Sequence, residues 1–222
     1  MCGRYTLTAT NDELVKVFGS TVIENFFPRF NVAPGQLAPV LRQLDEERKL
    51  ELIRWGIIPS WSKEGVGASR LINARAETVR EKTSFGESYT SRRCLVPADG
   101  FYEWRKEGLK KQPFRVGFRN GELFAFAGLY QFPISHNDAQ NPNDLVGNFA
   151  IITTAANKKL APLHHRMPVI VKPKDFEQWL NGEPKDAQAI MKPFDSKEMA
   201  FYRVSPRVNN VKNDDESCIS PL

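Results

Sequence analysis

Cys2 is the residue whose position carries the most chemistry. A small side chain after the initiator Met lets an aminopeptidase expose it as the first residue of the mature chain, and an N-terminal cysteine is a 1,2-aminothiol. An α-amine titrates near about 7.7–8.0 and a free thiol near about 8.5, so both are partly nucleophilic at cellular pH. An aldehyde meeting the amine forms a Schiff base, and the thiol then closes on the imine carbon to give a five-membered thiazolidine. Position alone fits an arbitrary second residue as well.

Other side chains offer the proton and charge chemistry that such a reaction needs. His164 and His165 are two of three histidines, set in Leu-His-His-Arg-Met-Pro before a β-leaning run. Imidazole shuttles protons near neutrality, although a structural or solvated role fits them too. Metal binding is not expected, because adjacent histidines should point apart and no Cys or acid stands at ligand spacing. Glu103 lies among aromatics in Asp99-Gly100-Phe101-Tyr102-Glu103-Trp104, where desolvation would raise a carboxyl pKa; an exposed strand face explains it equally well. Asn73 and Arg75 alternate with apolar residues, which puts both on one face of an extended segment. Arg4, Arg29, Arg54, Arg92, Arg93, Arg105, Lys106, Lys110 and Lys111 are candidates for phosphate contacts or for plain solvation. Trp55, Trp61 and Trp104 are candidates for base stacking or for the core.

Something must hold these residues, and the chain is long enough to build it. It has 222 residues, 41% hydrophobic, 11% aromatic and 26% charged, which is the profile of a folded globular chain rather than a disordered one. Neither a membrane-length apolar run nor the basic-then-apolar pattern of a signal peptide occurs, so a cytoplasmic protein is expected. Three cysteines without a CxxC pair read as reduced thiols. A net charge of +5 favours a polyanionic partner without proving one.

Thr10-Asn11-Asp12-Glu13 has the capping-box pattern and predicts a short helix over 11–18. Runs at 37–44 and 49–55 flank Asp45 to Arg48 as strands. Asn120-Gly121 predicts a two-residue type I′ hairpin joining 116–119 to 122–125. Further strands are expected at 93–97, 100–104, 149–154, 167–171 and 201–204, and helices at 76–84, 174–180 and 185–192. Strands without regular βα alternation imply an α+β fold: one domain over 1–222 on a mixed, largely antiparallel, barrel-like sheet with flanking short helices. The polar stretch 133–147 reads as a surface loop.

Taken together, these segments resemble the SRAP family of abasic-site-processing proteins, first named SOS-response-associated peptidases. The resemblance rests on Met1-Cys2-Gly3-Arg4-Tyr5, Arg29-Phe30-Asn31-Val32-Ala33-Pro34-Gly35, Trp55 to Trp61, Asn73-Ala74-Arg75-Ala76-Glu77-Thr78, Arg93 to Trp104, His164 to Pro168, and Val204-Ser205 through Val211. It implies a mature N-terminal Cys2 that traps the ring-opened sugar aldehyde of an abasic site in single-stranded DNA as a thiazolidine. Asn73 would orient the Cys2 amine and thiol, Glu103 would move protons, and His164 would stabilise the opened sugar. Arg4, Arg75 and Arg166 would hold phosphates, with Trp61, Trp104 and Ser205 on the DNA side. No cofactor or metal is implied, the default is a monomer that joins the nucleoid when DNA-bound, and the peptidase label reads as removal of the chain's own Met1. One departure is His165, where the family often has an acid, which leaves in doubt whatever that acid does for His164.

Two other functions start from the same residues. N-terminal-nucleophile glutamine amidotransferases also begin Met-Cys-Gly, with the thiolate attacking an amide and the α-amine as base. A non-catalytic binder of single-stranded or modified DNA would use the same basic, aromatic surface and leave no covalent product.

Overall fold

The computed structural model describes residues 2–24, 26–59, 70–132 and 146–222. Trp61 and nearly all of the expected 133–147 loop lie outside the described residues. The first helix, α1 (Asn11–Phe18), forms where its capping box places it. The Thr10 hydroxyl accepts from the Glu13 N–H, the Glu13 carboxylate accepts from the Thr10 N–H at 2.8 Å, and Gly19 stops the helix at φ +62°. Leu14 and Phe18 face inward, and Phe18 stacks on Phe176 at 5.2 Å.

Strands dominate the rest: β1 (Tyr5–Leu7), β2 (Arg29–Val32), β3 (Leu37–Leu44), β4 (Glu47–Trp55), β5 (Asn73–Arg75), β6 (Arg93–Ala98) and β7 (Gly100–Glu107). These are followed by β8 (Lys110–Phe118), β9 (Phe124–Gln131), β10 (Asn148–Ala155), β11 (Arg166–Pro168), β12 (Ile170–Val171) and β13 (Met199–Arg203). Short helices α2 (Gly86–Ser91), α3 (Phe176–Asn181) and α4 (Pro184–Ile190) flank them. The fold is α+β with mixed, mostly antiparallel pairing, as expected. Strands β4, β3, β6, β9 and β10 pair in that order, and a further pairing of β10 with β4 closes them into a ring, the barrel-like element. A second sheet runs β13-β8-β7-β1-β2.

One face of this second sheet packs on the ring. Tyr5 and Phe101 meet Phe126 edge-on at 5.7 and 6.0 Å, a geometry that suits aromatic quadrupoles. Its other face buries Tyr102, Val204, Val208 and Cys218 in a small separate cluster under the C-terminal segment. No helix among the described residues is long and apolar enough to cross a membrane.

Two expectations fail, for different reasons. Asn120-Gly121 does turn the chain, with the Gly121 N–H donating to the Phe118 carbonyl at 3.2 Å, but β8 and β9 do not pair. A type I′ turn needs positive φ at both central residues, and only Gly121 has it. Strand β8 is already bonded on both edges, by β7 and β13, while β9 lies among β6, β10 and β12, so the turn passes the chain from one sheet to the other. A two-residue hairpin turn does occur at Asp45-Glu46, where Asp45 takes φ +50° and Leu44 pairs with Glu47.

The 76–84 helix is absent. The Ala76 N–H is taken by the Thr153 carbonyl at 2.9 Å, which prolongs the extended path of β5, and the chain then runs through a set of turns before α2 begins at Gly86. The 167–171 run divides at Val169, because β11 pairs with β10 and β12 with β9.

Where β6 turns into β7, Asp99 ties three strands together. Its carboxylate accepts from the Thr8 N–H at 2.7 Å, from the Thr6 and Thr8 hydroxyls, and from Arg115 at 3.1 Å. Removing one partner of a buried ion pair strands the other charge, so Asp99→Ala should cost about 3–5 kcal/mol of stability in chemical denaturation. A loss below about 1 kcal/mol would show that Arg115 finds water instead.

Candidate functional site

Antiparallel pairing brings the first residues of the chain alongside β7. Tyr5 lies opposite Phe101, and the Tyr102 N–H donates to the Arg4 carbonyl at 3.0 Å. That register, continued towards the N-terminus, runs Cys2 past Glu103 and Trp104. Cys2 is fully buried, with Sγ 4.0 Å from the Arg4 carbonyl. Burial pushes its thiol well above the ordinary range, and the Glu103 charge adds to the rise. The thiol is therefore held protonated, and a base must take its proton before sulfur can attack.

Glu103 is 4% exposed, so it does not sit on an open strand face. Burial pushes its carboxyl up to about 7, against a smaller opposing effect of the Trp104 backbone N–H. A group at that value both gives and takes protons at neutral pH. The second flank of Cys2 is Asn73, whose Nδ2 donates to the Cys2 carbonyl at 3.0 Å. Asn73 is held there by β5, which lies parallel to β10 with Asn73 beside Ile151 and Arg75 beside Thr153. The expected shared face of Asn73 and Arg75 thus has a physical basis. Asn73 is half-buried near Cys2, Ala74 between them is in the core, and Arg75 is exposed.

The same strand β10 also carries the histidine motif, with Ala155 opposite Arg166. From Ile151 to Ala155 is roughly 13 Å of strand at about 3.3 Å per residue, so β10 holds Asn73 and Arg75 along one edge, through β5, and Arg166 farther along the other, through β11. His164 is half-buried just before β11, and its Nδ1 accepts from the Arg166 N–H at 3.0 Å. Nδ1 also lies 3.3 Å from the Arg166 carbonyl, so the tautomer that accepts from the Arg166 N–H bears its hydrogen on Nε2, and a ring protonated on Nδ1 donates to that carbonyl instead. Burial lowers the pKa of His164, and the neighbouring His165 contributes in the same direction. The two rings do not point apart as expected. They stack with centroids 4.3 Å apart at 29°, because the chain turns tightly into β11. No cluster of metal-ligating side chains occurs among the described residues.

The three arginines differ in what already holds them. Arg4 donates to Asn31 Oδ1 at 2.9 Å and to the Val208 and Asn209 carbonyls at 2.7 and 3.2 Å, so its guanidinium ties the N-terminus to the C-terminal segment. Arg166 makes a two-pronged pair with Glu77 at 2.7 and 2.9 Å and also donates to the Thr153 carbonyl. Arg75 presents its side chain to solvent. Trp104, half-buried, donates to Asn209 Oδ1 at 2.7 Å, and Ser205 caps the short 3-10 turn Pro206–Asn209 by accepting from the Arg207 N–H.

Two supporting residues escape a reading of motifs for chemistry. Asn31 donates to the carbonyls of Val208, Asn210 and Asn213 while accepting from Arg4, and Asp214 accepts from the Phe30 and Asn31 N–H groups at 2.6 and 2.8 Å. Asn31 lies within the Arg29 to Gly35 motif, whereas no local signal marks Asp214.

Comparison with known proteins gives a consistent picture. Residues 1–211 match the model of the family described as SOS response associated peptidase (SRAP). The chain is 38% identical to the abasic site processing protein YoqW of Bacillus subtilis, across 99% of both chains. It is 31% identical to the abasic site processing protein YedK of Escherichia coli, across 100% of both. A crystal structure of a protein from Bacteroides thetaiotaomicron superposes with a TM-score of 0.87 over 100% of both chains at 26% identity.

Proposed function

The chain belongs to the SOS response associated peptidase family, and from that premise we propose that it processes abasic sites in single-stranded DNA by closing a thiazolidine between Cys2 and the opened sugar. The observation that carries the reading is the meeting of Cys2, Asn73 and Glu103 in one buried corner. A buried thiol held protonated is inert by itself, and the carboxyl whose charge it feels is the one poised near pH 7.

The reaction follows from these placements. Removal of Met1, a step in which the chain acts on itself, frees the Cys2 amine. The abasic sugar is mostly a closed hemiacetal, and Glu103 draws the proton from its C1′ hydroxyl and returns it to the ring oxygen as the ring opens to the aldehyde. The amine nitrogen adds to the aldehyde carbon and gives up its protons, and Glu103, protonated in that step, helps the former carbonyl oxygen leave as water. Sulfur then bonds to the imine carbon while its proton passes through the carboxylate to the nitrogen, so amine, thiol and aldehyde become thiazolidine plus water. Asn73 keeps the Cys2 main chain in place while this happens, and His164 donates from Nε2 to the opened sugar.

A denaturing gel tests the reading. The protein is incubated with a single-stranded oligonucleotide carrying one abasic site, with an intact strand, and with a strand bearing a tetrahydrofuran analogue that has no aldehyde. A band of slow mobility is expected with the first alone. An equal band on intact DNA overturns the substrate class, and its absence on all three favours a non-covalent binder.

His164→Ala should slow adduct formation about tenfold, the scale of one lost hydrogen bond to a group gaining charge. His164→Asn, which retains an N–H donor, should recover part of the rate. Identical rates for all three proteins would return His164 to a structural role.

A further inference from the structure

We propose that Glu77 occupies, on Arg166, the place of a DNA phosphodiester, and that the strand displaces this carboxylate when it binds. The inference rests on the proposed DNA reading and deepens it. Arg166 offers its two terminal nitrogens as a fork, and Glu77 fills that fork with both oxygens at 2.7 and 2.9 Å. A phosphodiester presents two non-bridging oxygens to a guanidinium in the same bidentate way, so carboxylate and phosphate compete for one geometry.

The two partners are unequally anchored. The Arg166 side chain is 13% exposed and that of Glu77 is 50% exposed, so the acid lies on the solvent side of the pair. The guanidinium does not depend on Glu77 for its direction, because Nη2 also donates to the Thr153 carbonyl and lies 3.3 Å from the Thr153 hydroxyl. Thr153 belongs to the central strand β10, whereas Glu77 sits in the turns after β5. Swinging the carboxylate out therefore costs a half-exposed ion pair and leaves the fork aimed where it was. The Arg166 bond, with a smaller contribution from Arg75, holds the Glu77 pKa below the usual carboxylate range, so this occupant is charged at neutral pH. Until DNA arrives, Glu77 offsets two of the cations assigned to the strand and weakens the attraction of intact polyanions for this edge.

The test is equilibrium binding of a single-stranded oligonucleotide containing the tetrahydrofuran analogue, which cannot crosslink, to wild type, Glu77→Gln, Glu77→Ala and Arg166→Ala across a salt series. Both Glu77 variants should bind about threefold to tenfold more tightly at low salt, the scale of an exposed ion pair no longer broken. Their slope of log affinity against log salt should stay close to that of wild type, because the strand reaches the same phosphate contacts once Glu77 is displaced, whereas Arg166→Ala should flatten it by about 0.7, one phosphate's worth of released counterion. Arg166→Ala should bind more weakly than wild type. If it does while the Glu77 variants bind no better than wild type, Glu77 is a buttress and this inference is overturned with the phosphate role of Arg166 intact. If Arg166→Ala binds like wild type, the phosphate role falls and this inference with it. The crosslinking gel, read separately, decides the abasic-site reading.

Discussion

Cys2→Ala is expected to yield no covalent adduct with abasic DNA, and a chain that keeps Met1 is expected to yield none either. Both expectations follow from one requirement of the proposed reaction, that nitrogen and sulfur of the same residue close on the same carbon. Alanine retains the amine but has no sulfur, so an imine that does form hydrolyses on denaturation. With Met1 in place the Cys2 nitrogen is an amide whose lone pair is delocalised into the carbonyl, and the thiol alone gives only a labile hemithioacetal. Burial adds a second obstacle. Cys2 shows no surface to solvent in the 222-residue chain, and its thiol is held protonated. Cys2→Ser separates the two steps, because it keeps the amine with a poorer ring-closing group, and its adduct should be weak unless a hydride donor reduces the imine. Mass spectrometry sorts the purified protein into chains with and without Met1, and each fraction is crosslinked separately. A robust adduct from chains that demonstrably keep Met1 would move the nucleophile to a side-chain thiol or a lysine.

Local signals carried the parts of this structure that are local. The capping box at Thr10 to Glu13 and the stop at Gly19 bound α1 at its expected residues, since every hydrogen bond involved joins near neighbours in the chain. The alternation around Asn73 and Arg75 reads correctly because a strand's period of two is set by its own backbone. What failed was partnership. Asn120-Gly121 is a genuine turn, yet whether two strands pair across it depends on β7, β13, β6 and β10 having already taken their edges. The 76–84 segment carries helical signals, yet its chain prolongs β5 through the bond of Ala76 to Thr153 and then runs through turns. Of the proposed site residues, Cys2, Glu103 and His164 stand out in the sequence by the chemistry of their side chains, and the structure buries the first two and half-buries the third. The Glu77 partnership with Arg166 and the Asp214 bond to Phe30 join residues 89 and 184 positions apart, and no pattern in the sequence links them. For Arg4, a phosphate role now has to coexist with its bonds to Asn31, Val208 and Asn209.

Glu103→Gln is expected to slow adduct formation about 10²–10⁴-fold while leaving DNA binding nearly unchanged, because general acid–base help of this kind is worth that much and the amide keeps the shape of the acid. The pH profile makes the prediction specific. In the wild type two groups must lose a proton before the first bond forms: the mature Cys2 amine, near about 7.7–8.0 for an ordinary terminus, and Glu103, which burial pushes up to about 7. The logarithm of the rate should therefore rise with pH on the acid side with a slope approaching two, and in Glu103→Gln the slope should fall to one. Stability moves the opposite way. The folded-state pKa of Glu103 lies above its unfolded value, so the native protein binds more protons between about pH 4.3 and 7 and loses stability as pH rises through that window. Above pH 7 the wild type carries the full cost of an ionised carboxylate out of water, and Glu103→Gln does not. The variant should melt at a higher temperature than wild type at pH 8, and the gap should close by about pH 4, where both side chains are neutral in the fold. A variant that crosslinks at the wild-type rate with an unchanged pH slope would take Glu103 out of the chemistry, and one that melts no higher at pH 8 would show that its carboxylate is solvated after all.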